Sequence, residues 1–155
     1  MNKKPERFVA VARAQLGVPF VPQGRASYHA LDCIGLPVVS AIATGFDPEF
    51  ISDYELKNEY HETLISYLEK NGNQVSYEEA QIGDLVAFWI MNQERPRHLA
   101  ILCDTDNEAE SVRFGMIHTS ESAKRVIEHD LDFKWRKHIH SIWRLKGMKD
   151  YNKDS

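Results

Sequence analysis

Long apolar runs are missing from this chain. No stretch approaches the ~18 consecutive apolar residues that a membrane-spanning helix needs, so no membrane span is expected. Cysteine is scarce: Cys33 and Cys103 are the only two in 155 residues, and they stand too far apart to form a paired metal-ligand motif. They build no disulfide framework, which favours a reducing compartment. An excess of basic charge is also lacking. Nineteen Lys and Arg stand against 23 Asp and Glu, a formal charge of −4, which removes the drive for non-specific nucleic-acid binding. The opening residues MNKKPERFVAVARAQLGV begin with lysines, as a secretion signal does, but Glu6, Arg7, Arg13 and Gln15 interrupt the apolar run. A chain made in the cytoplasm without a signal peptide is therefore expected.

What is present reads as one domain over residues 1–147, followed by a polar tail, 148–155. The first half is helical. Pro5 suits a first helical position, and Phe8, Val11, Ala12 and Leu16 recur at helical spacing until Gly17. GVPFVPQGRASYHAL carries two prolines and two glycines and reads as a loop. A second helix is predicted from an Asp32 N-cap through CIGLPVVSAIAT to Gly45, starting late or bending because Pro37 lacks an N–H. Leu56, Tyr60, Leu64, Tyr67 and Leu68 mark a third helix over Tyr54–Gly72. The second half is β-rich: LVAFWI (85–90), HLAILC (98–103), VRFGMIHT (112–119), RVIEHDL (125–131) and HIHSIWRL (138–145). TDNEAES (105–111) reads as a hairpin loop. Helices followed by consecutive strands predict an α+β fold with an antiparallel sheet.

Three residues carry potential chemistry. Cys33 follows the N-cap and opens an apolar helix, where free N–H groups and the helix dipole favour a thiolate. A nucleophilic thiol needs a base within hydrogen-bond reach and a third group to orient that base. His98 opens one predicted strand and His118 closes the next, so an antiparallel pairing can set the second beside the first. Taken one at a time, the same residues also read as a packed cysteine and two surface histidines. His138 and His140 alternate on one strand beside Lys134, Arg136 and Lys137 and read as a solvated basic face, and no metal or other cofactor is expected. Asp84 after Gly83 reads as a turn residue, and Trp89, Trp135 and Trp143 as core or its edge.

Three blocks resemble the NlpC-type cysteine peptidases, papain-like bacterial and phage enzymes that cut cell-wall peptides. ARAQLGVPFVPQGRASYHALDCIGL (12–36) is similar to the family's Gly-x-Pro-aromatic loop and Asp-Cys-x-Gly-Leu nucleophile block. AQIGDLVAFWI with RHLAIL (80–102) resembles its Gly-Asp-Leu strand and histidine-led strand, and MIHTSESAKRVIEHDLDFKW (116–135) the stretch holding the third polar residue. The resemblance implies a papain-like fold with N-terminal helices on a central antiparallel sheet of about five to six strands. It implies Cys33 as nucleophile, His98 as base, His118 as its orienting partner, and peptidoglycan stem peptides as substrate. The QGRASYHAL insertion and the region around Tyr54 most resemble the phage tail-tip branch, which implies tail-tip partner proteins and a place in a virion tail or delivery to the wall.

The chain departs from the pattern at two positions. Phe20 stands where the family commonly has Tyr, and Ile34 where it commonly has Ser. With the aspartate matching Asp32, those groups grip a peptide amine in the cell-wall enzymes. Here Asp32 is left as amine partner, Tyr28 is the candidate to replace the missing hydroxyl, and Phe20 and Ile34 make the pocket more apolar. Two other functions fit the same residues: a papain-like amidase or acyltransferase on another substrate, or an idle structural component of a tail or secretion machine.

Overall fold

Burial of one helical face sets the first element. Phe8, Val9 and Ala12 are buried along α1 (Lys4–Arg13), with Glu6 in the first turn and Arg13 in the last, as the helix dipole favours. Pro5 lies at the start of this helix, and the chain leaves it through turns to Gly17, whose φ of 88° a side chain would strain. The computed structural model describes residues 3–21, 25–26, 30–46, 60–89, 96–107 and 112–148. Along these run β1 (Arg25–Ala26), β2 (Ala30–Leu31), α2 (Gly35–Ala43), α3 (Tyr60–Asn71), β3 (Gly72–Val75), β4 (Leu85–Phe88) and β5 (His98–Cys103). Then follow β6 (Gly115–Ser120), β7 (Arg125–Asp130), α4 (Phe133–Arg136) and β8 (Ile139–Leu145).

The fold is α+β. Strands β3 to β8 form one antiparallel sheet in the order β3-β8-β4-β5-β6-β7. Side chains alternate across it. Leu85, Ala87, Leu99, Ile101, Cys103, Ile117 and Val126 join Phe8, Leu36, Val38, Leu64, Tyr67 and Leu68 in a core beneath the helices. Val86, Phe88, Ala100, Leu102, Met116 and Ile142 fill the opposite face with Phe114, Leu131 and Trp135.

All five predicted strands occur: β5 with its predicted bounds, β6 shifted to Gly115–Ser120, and the others shorter than predicted. Three elements do not follow from composition. β3 is a polar run, GNQV, that follows α3 without a loop and pairs only with β8 among the described residues. α4 is one short turn capped by Asp132. The proline- and glycine-rich segment read as a loop holds the β1–β2 hairpin and an edge pairing. Gly17 N–H donates to the Val126 carbonyl (3.0 Å), Val126 N–H to Val18 (2.9 Å) and Phe20 N–H to Lys124 (3.0 Å), which covers the exposed edge of β7. The third helix spans Tyr60–Asn71; its predicted start at Tyr54 lies outside the described residues. Met148, the first residue of the expected tail, is wholly buried in the helix-side core. No helix of the described residues is long and apolar enough to cross a membrane.

Asp84 does more than turn the chain. Its carboxylate is wholly buried and meets the Arg144 guanidinium through two contacts of 2.9 Å, Nε to Oδ1 and Nη2 to Oδ2, while Oδ2 also accepts the Gln81 N–H. This pair joins the start of β4 to the end of β8. Removing one partner strands a buried charge, at a cost of about 3–5 kcal/mol. Asp84→Ala is therefore expected to lower urea-unfolding stability by that amount, and Asp84→Leu combined with Arg144→Met to recover much of it. A loss below about 1 kcal/mol in the single variant would be incompatible with a desolvated pair.

Candidate active site

Cys33 is positioned by the carboxylate before it. Asp32 is wholly buried, and its Oδ1 accepts the N–H groups of Ile34 (3.1 Å) and Gly35 (2.6 Å), while its carbonyl accepts that of Leu36 (3.1 Å). Cys33 and Ile34 thus form a turn, and the helix begins at Gly35, the late start expected from Pro37. The late start moves Pro37 into the first turn, where a missing N–H costs little. It also corrects one expectation: the Ile34 and Gly35 N–H groups are committed to Asp32 and do not face outward as donors. Cys33 is buried at 3% exposure and is not joined to Cys103 in a disulfide.

The histidine side of the site is built by strand register. β5 pairs β6 through Ile101↔Ile117 and Leu102↔Met116, so Ala100 falls level with His118 and His98 lies two residues away on the same face. Such diagonal neighbours are within reach of long or aromatic side chains. His98 Nε2 meets His118 Nδ1 at 2.7 Å. The predicted pairing of these two residues is present.

The contact continues further than the sequence reading anticipated. β6 and β7 pair through His118↔Ile127 and Met116↔His129, so His129 is the opposite diagonal neighbour of His118. His118 Nε2 meets His129 Nε2 at 2.8 Å, and His129 Nδ1 meets the Asp130 carbonyl at 3.0 Å. The indole of Trp135 packs against all three rings, with centroids 6.2, 5.2 and 5.4 Å from His98, His118 and His129. His129 and Trp135 are the two site residues that sequence reasoning missed. The four-residue turn 121–124 fixed the hairpin register that would have found His129.

Desolvation holds His98 and His118 neutral. Desolvation pushes His98 down to about 4, with the neighbouring His129 adding to the effect. His118 is only 2% exposed; desolvation, then His98 and His129, push it down to about 2. The rings meet in line, each contact using a different pair of nitrogens, so they do not converge on a metal. Among the described residues no group of three His, Cys, Asp or Glu could hold one.

Of the other candidates, Phe20 is half-buried at the edge of β7, with its N–H on Lys124. Ile34 is wholly buried in the helix-side core and offers no exposed surface there. Tyr28 lies outside the described residues. Cys103 is buried beside the Glu128 carboxylate (3.6 Å), and burial followed by that charge pushes its thiol up to about 12, so it is no nucleophile near neutral pH. His138 is exposed, and His140 hydrogen-bonds Ser141 (2.8 Å) under the Trp89 ring.

The two depressed imidazoles predict an acid-sensitive fold. The unfolded chain protonates both near pH 6.5, while the folded chain resists down to about 4 and about 2. The unfolded state therefore binds more protons below pH 6.5, and stability falls as pH drops through that window, by up to about 1.4 kcal/mol per pH unit per group. The urea midpoint is expected to decline steadily between pH 7 and pH 5, and His118→Gln to flatten the decline. Equal slopes in the two proteins would contradict burial of His118 as a neutral ring.

Solved structures share this architecture. A Staphylococcus aureus protein described as similar to a lipoprotein of the NLP/P60 family superposes with a TM-score of 0.65 at 19% identity, over 94% of this chain and 42% of that one. The NlpC/p60 domain of the peptidoglycan hydrolase SagA gives 0.59 at 20% identity, over 91% of this chain and 98% of that domain. NlpC1 from Trichomonas vaginalis gives 0.58 at 15% identity, over 91% and 44%. The chain thus spans less than half of the first and third proteins and nearly all of the SagA domain. No family model and no curated protein matches the sequence. The α+β fold described above is that of the papain-like NlpC/P60 domains.

Proposed function

We propose that the protein is a cysteine peptidase acting on peptidoglycan stem peptides. The observation that carries this reading is the 2.7 Å contact between partly buried His98 and buried His118, on a fold shared with a domain of a peptidoglycan hydrolase. The resemblance of the Asp32-Cys33-Ile34-Gly35-Leu36 block to the family's nucleophile motif supports Cys33 as the attacking group. Alternation along β5 assigns His98 to the Ala100 and Leu102 face, while Cys33 belongs to the helix-side core. His98 is the first residue of its strand, and in this reading the thiol meets its ring around that strand end.

Neutral His98 takes the Cys33 proton, and the thiolate attacks a peptide carbonyl. The tetrahedral intermediate collapses as His98 returns the proton to the leaving amine, giving a thioester. His98 then deprotonates a water that attacks the thioester, releasing the acid and restoring the thiol. With Phe20 half-buried and Ile34 wholly buried, neither supplies a hydroxyl, and Asp32 is occupied by its cap. Amine recognition in this reading falls to the segment containing Tyr28. A role in a phage tail or delivery to the wall is part of the proposal, supported by the resemblance of residues 23–31 to the tail-tip branch.

Purified peptidoglycan fragments, with products identified by mass spectrometry, test the reading. Cys33→Ala and His98→Ala are each expected to lower turnover by at least about 10³-fold while retaining the wild-type circular dichroism spectrum. Near-normal turnover in either variant would exclude the mechanism. Transfer of an acyl group to a small amine, in place of hydrolysis, would select the acyltransferase reading.

A further inference from the structure

The imidazole contacts form a chain whose polarity is decided at its far end. The Asp130 carbonyl only accepts, so the proton on His129 must sit on Nδ1, 3.0 Å from that oxygen. With that single proton on the ring, His129 Nε2 is a lone pair, and His118 donates to it from Nε2 across 2.8 Å. That leaves His118 Nδ1 as acceptor, so His98 donates to it from Nε2 across 2.7 Å. The remaining lone pair falls on His98 Nδ1. Reversing the sequence would place the His129 lone pair against the carbonyl lone pairs and the His98 proton on Nδ1, where no base could act.

We propose that His129 is a positioning residue of the active site, which together with the Asp130 carbonyl sets the tautomers of His118 and His98 and exposes the basic nitrogen of His98. The functional consequence rests on the reading of His98 as general base; the tautomer assignment itself does not. Trp135 packs against all three rings and covers one side of their contacts. In this arrangement the ring dipoles also align, each presenting its lone pair toward His98. They favour the imidazolium that forms on His98 when it takes the thiol proton.

The full chain labelled with ¹⁵N-histidine provides the test, because nitrogen chemical shifts distinguish the two tautomers. At neutral pH the wild type is expected to show His98 and His118 as Nε2–H and His129 as Nδ1–H. His129→Leu removes the terminal acceptor and is expected to mix the tautomers at His118 and His98. It should also slow alkylation of Cys33 by iodoacetamide by about tenfold or more, as loss of an outer-shell orienting group typically does. His129→Gln, whose carbonyl can still accept from His118, is expected to restore the Nε2–H form and most of the rate. Wild-type His129 carrying its proton on Nε2, or unchanged tautomers in His129→Leu, would overturn the inference. Should His129→Leu fail to fold, the wild-type spectrum and His129→Gln still decide. Correct tautomers in a protein that cleaves no peptidoglycan fragment, with Cys33 no more reactive than an ordinary thiol, would sink the peptidase reading and leave the tautomer assignment standing.

Discussion

The hydrogen-bond register of β5, β6 and β7 is the constraint from which the site follows. A shift of one residue in either pairing would send a histidine to the opposite face and break the chain of rings. The same register is what buries Leu99, Ile101, Ile117 and Val126 beneath the helices. Core packing and site geometry therefore specify one another. Any slip that disconnected His98 from His118 would also expose these apolar side chains, so much of the energy that holds the imidazoles in line comes from hydrophobic burial on the other side of the sheet. The backbone pairing of residues 17–20 along β7 and the Arg13–Glu128 contacts, both 2.9 Å, brace the outer strand of this trio against α1.

The cysteine side is organised by a different interaction. Asp32 gathers the first N–H groups of the helix into its own carboxylate and carbonyl, which holds the Cys33 turn rigid and lets Pro37 fit the first turn. The arrangement exchanges one electrostatic asset for another. Donors that a helix start would offer to an oxyanion are spent on fixing the nucleophile's backbone, so in the proposed mechanism positioning carries more weight here than a helix-start oxyanion hole.

Much of this was legible in the residues. Alternating apolar runs bounded by turn formers located β4 to β8, and the Asp-Cys pair with two strand-end histidines located the His98–His118 contact. β3 was illegible because GNQV has neither β-branched enrichment nor an apolar face; its pairing to β8 is a tertiary effect. The late helix start expected from Pro37 is accommodated because Asp32 caps from three positions before the first helical residue, Gly35. His129 hid for another reason. Alone in RVIEHDL it is one polar residue among several, and it gains meaning only when the 121–124 turn fixes its cross-strand neighbours. Asp84 was half read: a turn residue by its glycine neighbour, and a buried ion-pair partner only once β8 brings Arg144 across.

In the proposed mechanism, the chain of imidazoles resolves a conflict that any histidine base in a closed site faces. Burial keeps His98 neutral at physiological pH, which a proton acceptor requires, but the same desolvation makes the ring a poorer base. Pairing with a carboxylate would restore basicity at the cost of burying a charge. With the proposed tautomers, a relay of rings ending on the Asp130 carbonyl restores part of it through dipoles, because every ring presents its lone pair toward the place where positive charge would develop. The charge that forms on His98 during the proposed proton transfer is thus stabilised by dipoles of the neighbouring rings. In the proposed mechanism this gives the site a physical route to a reactive thiolate, and it gives a role to a third histidine beyond the two that the chemistry strictly demands.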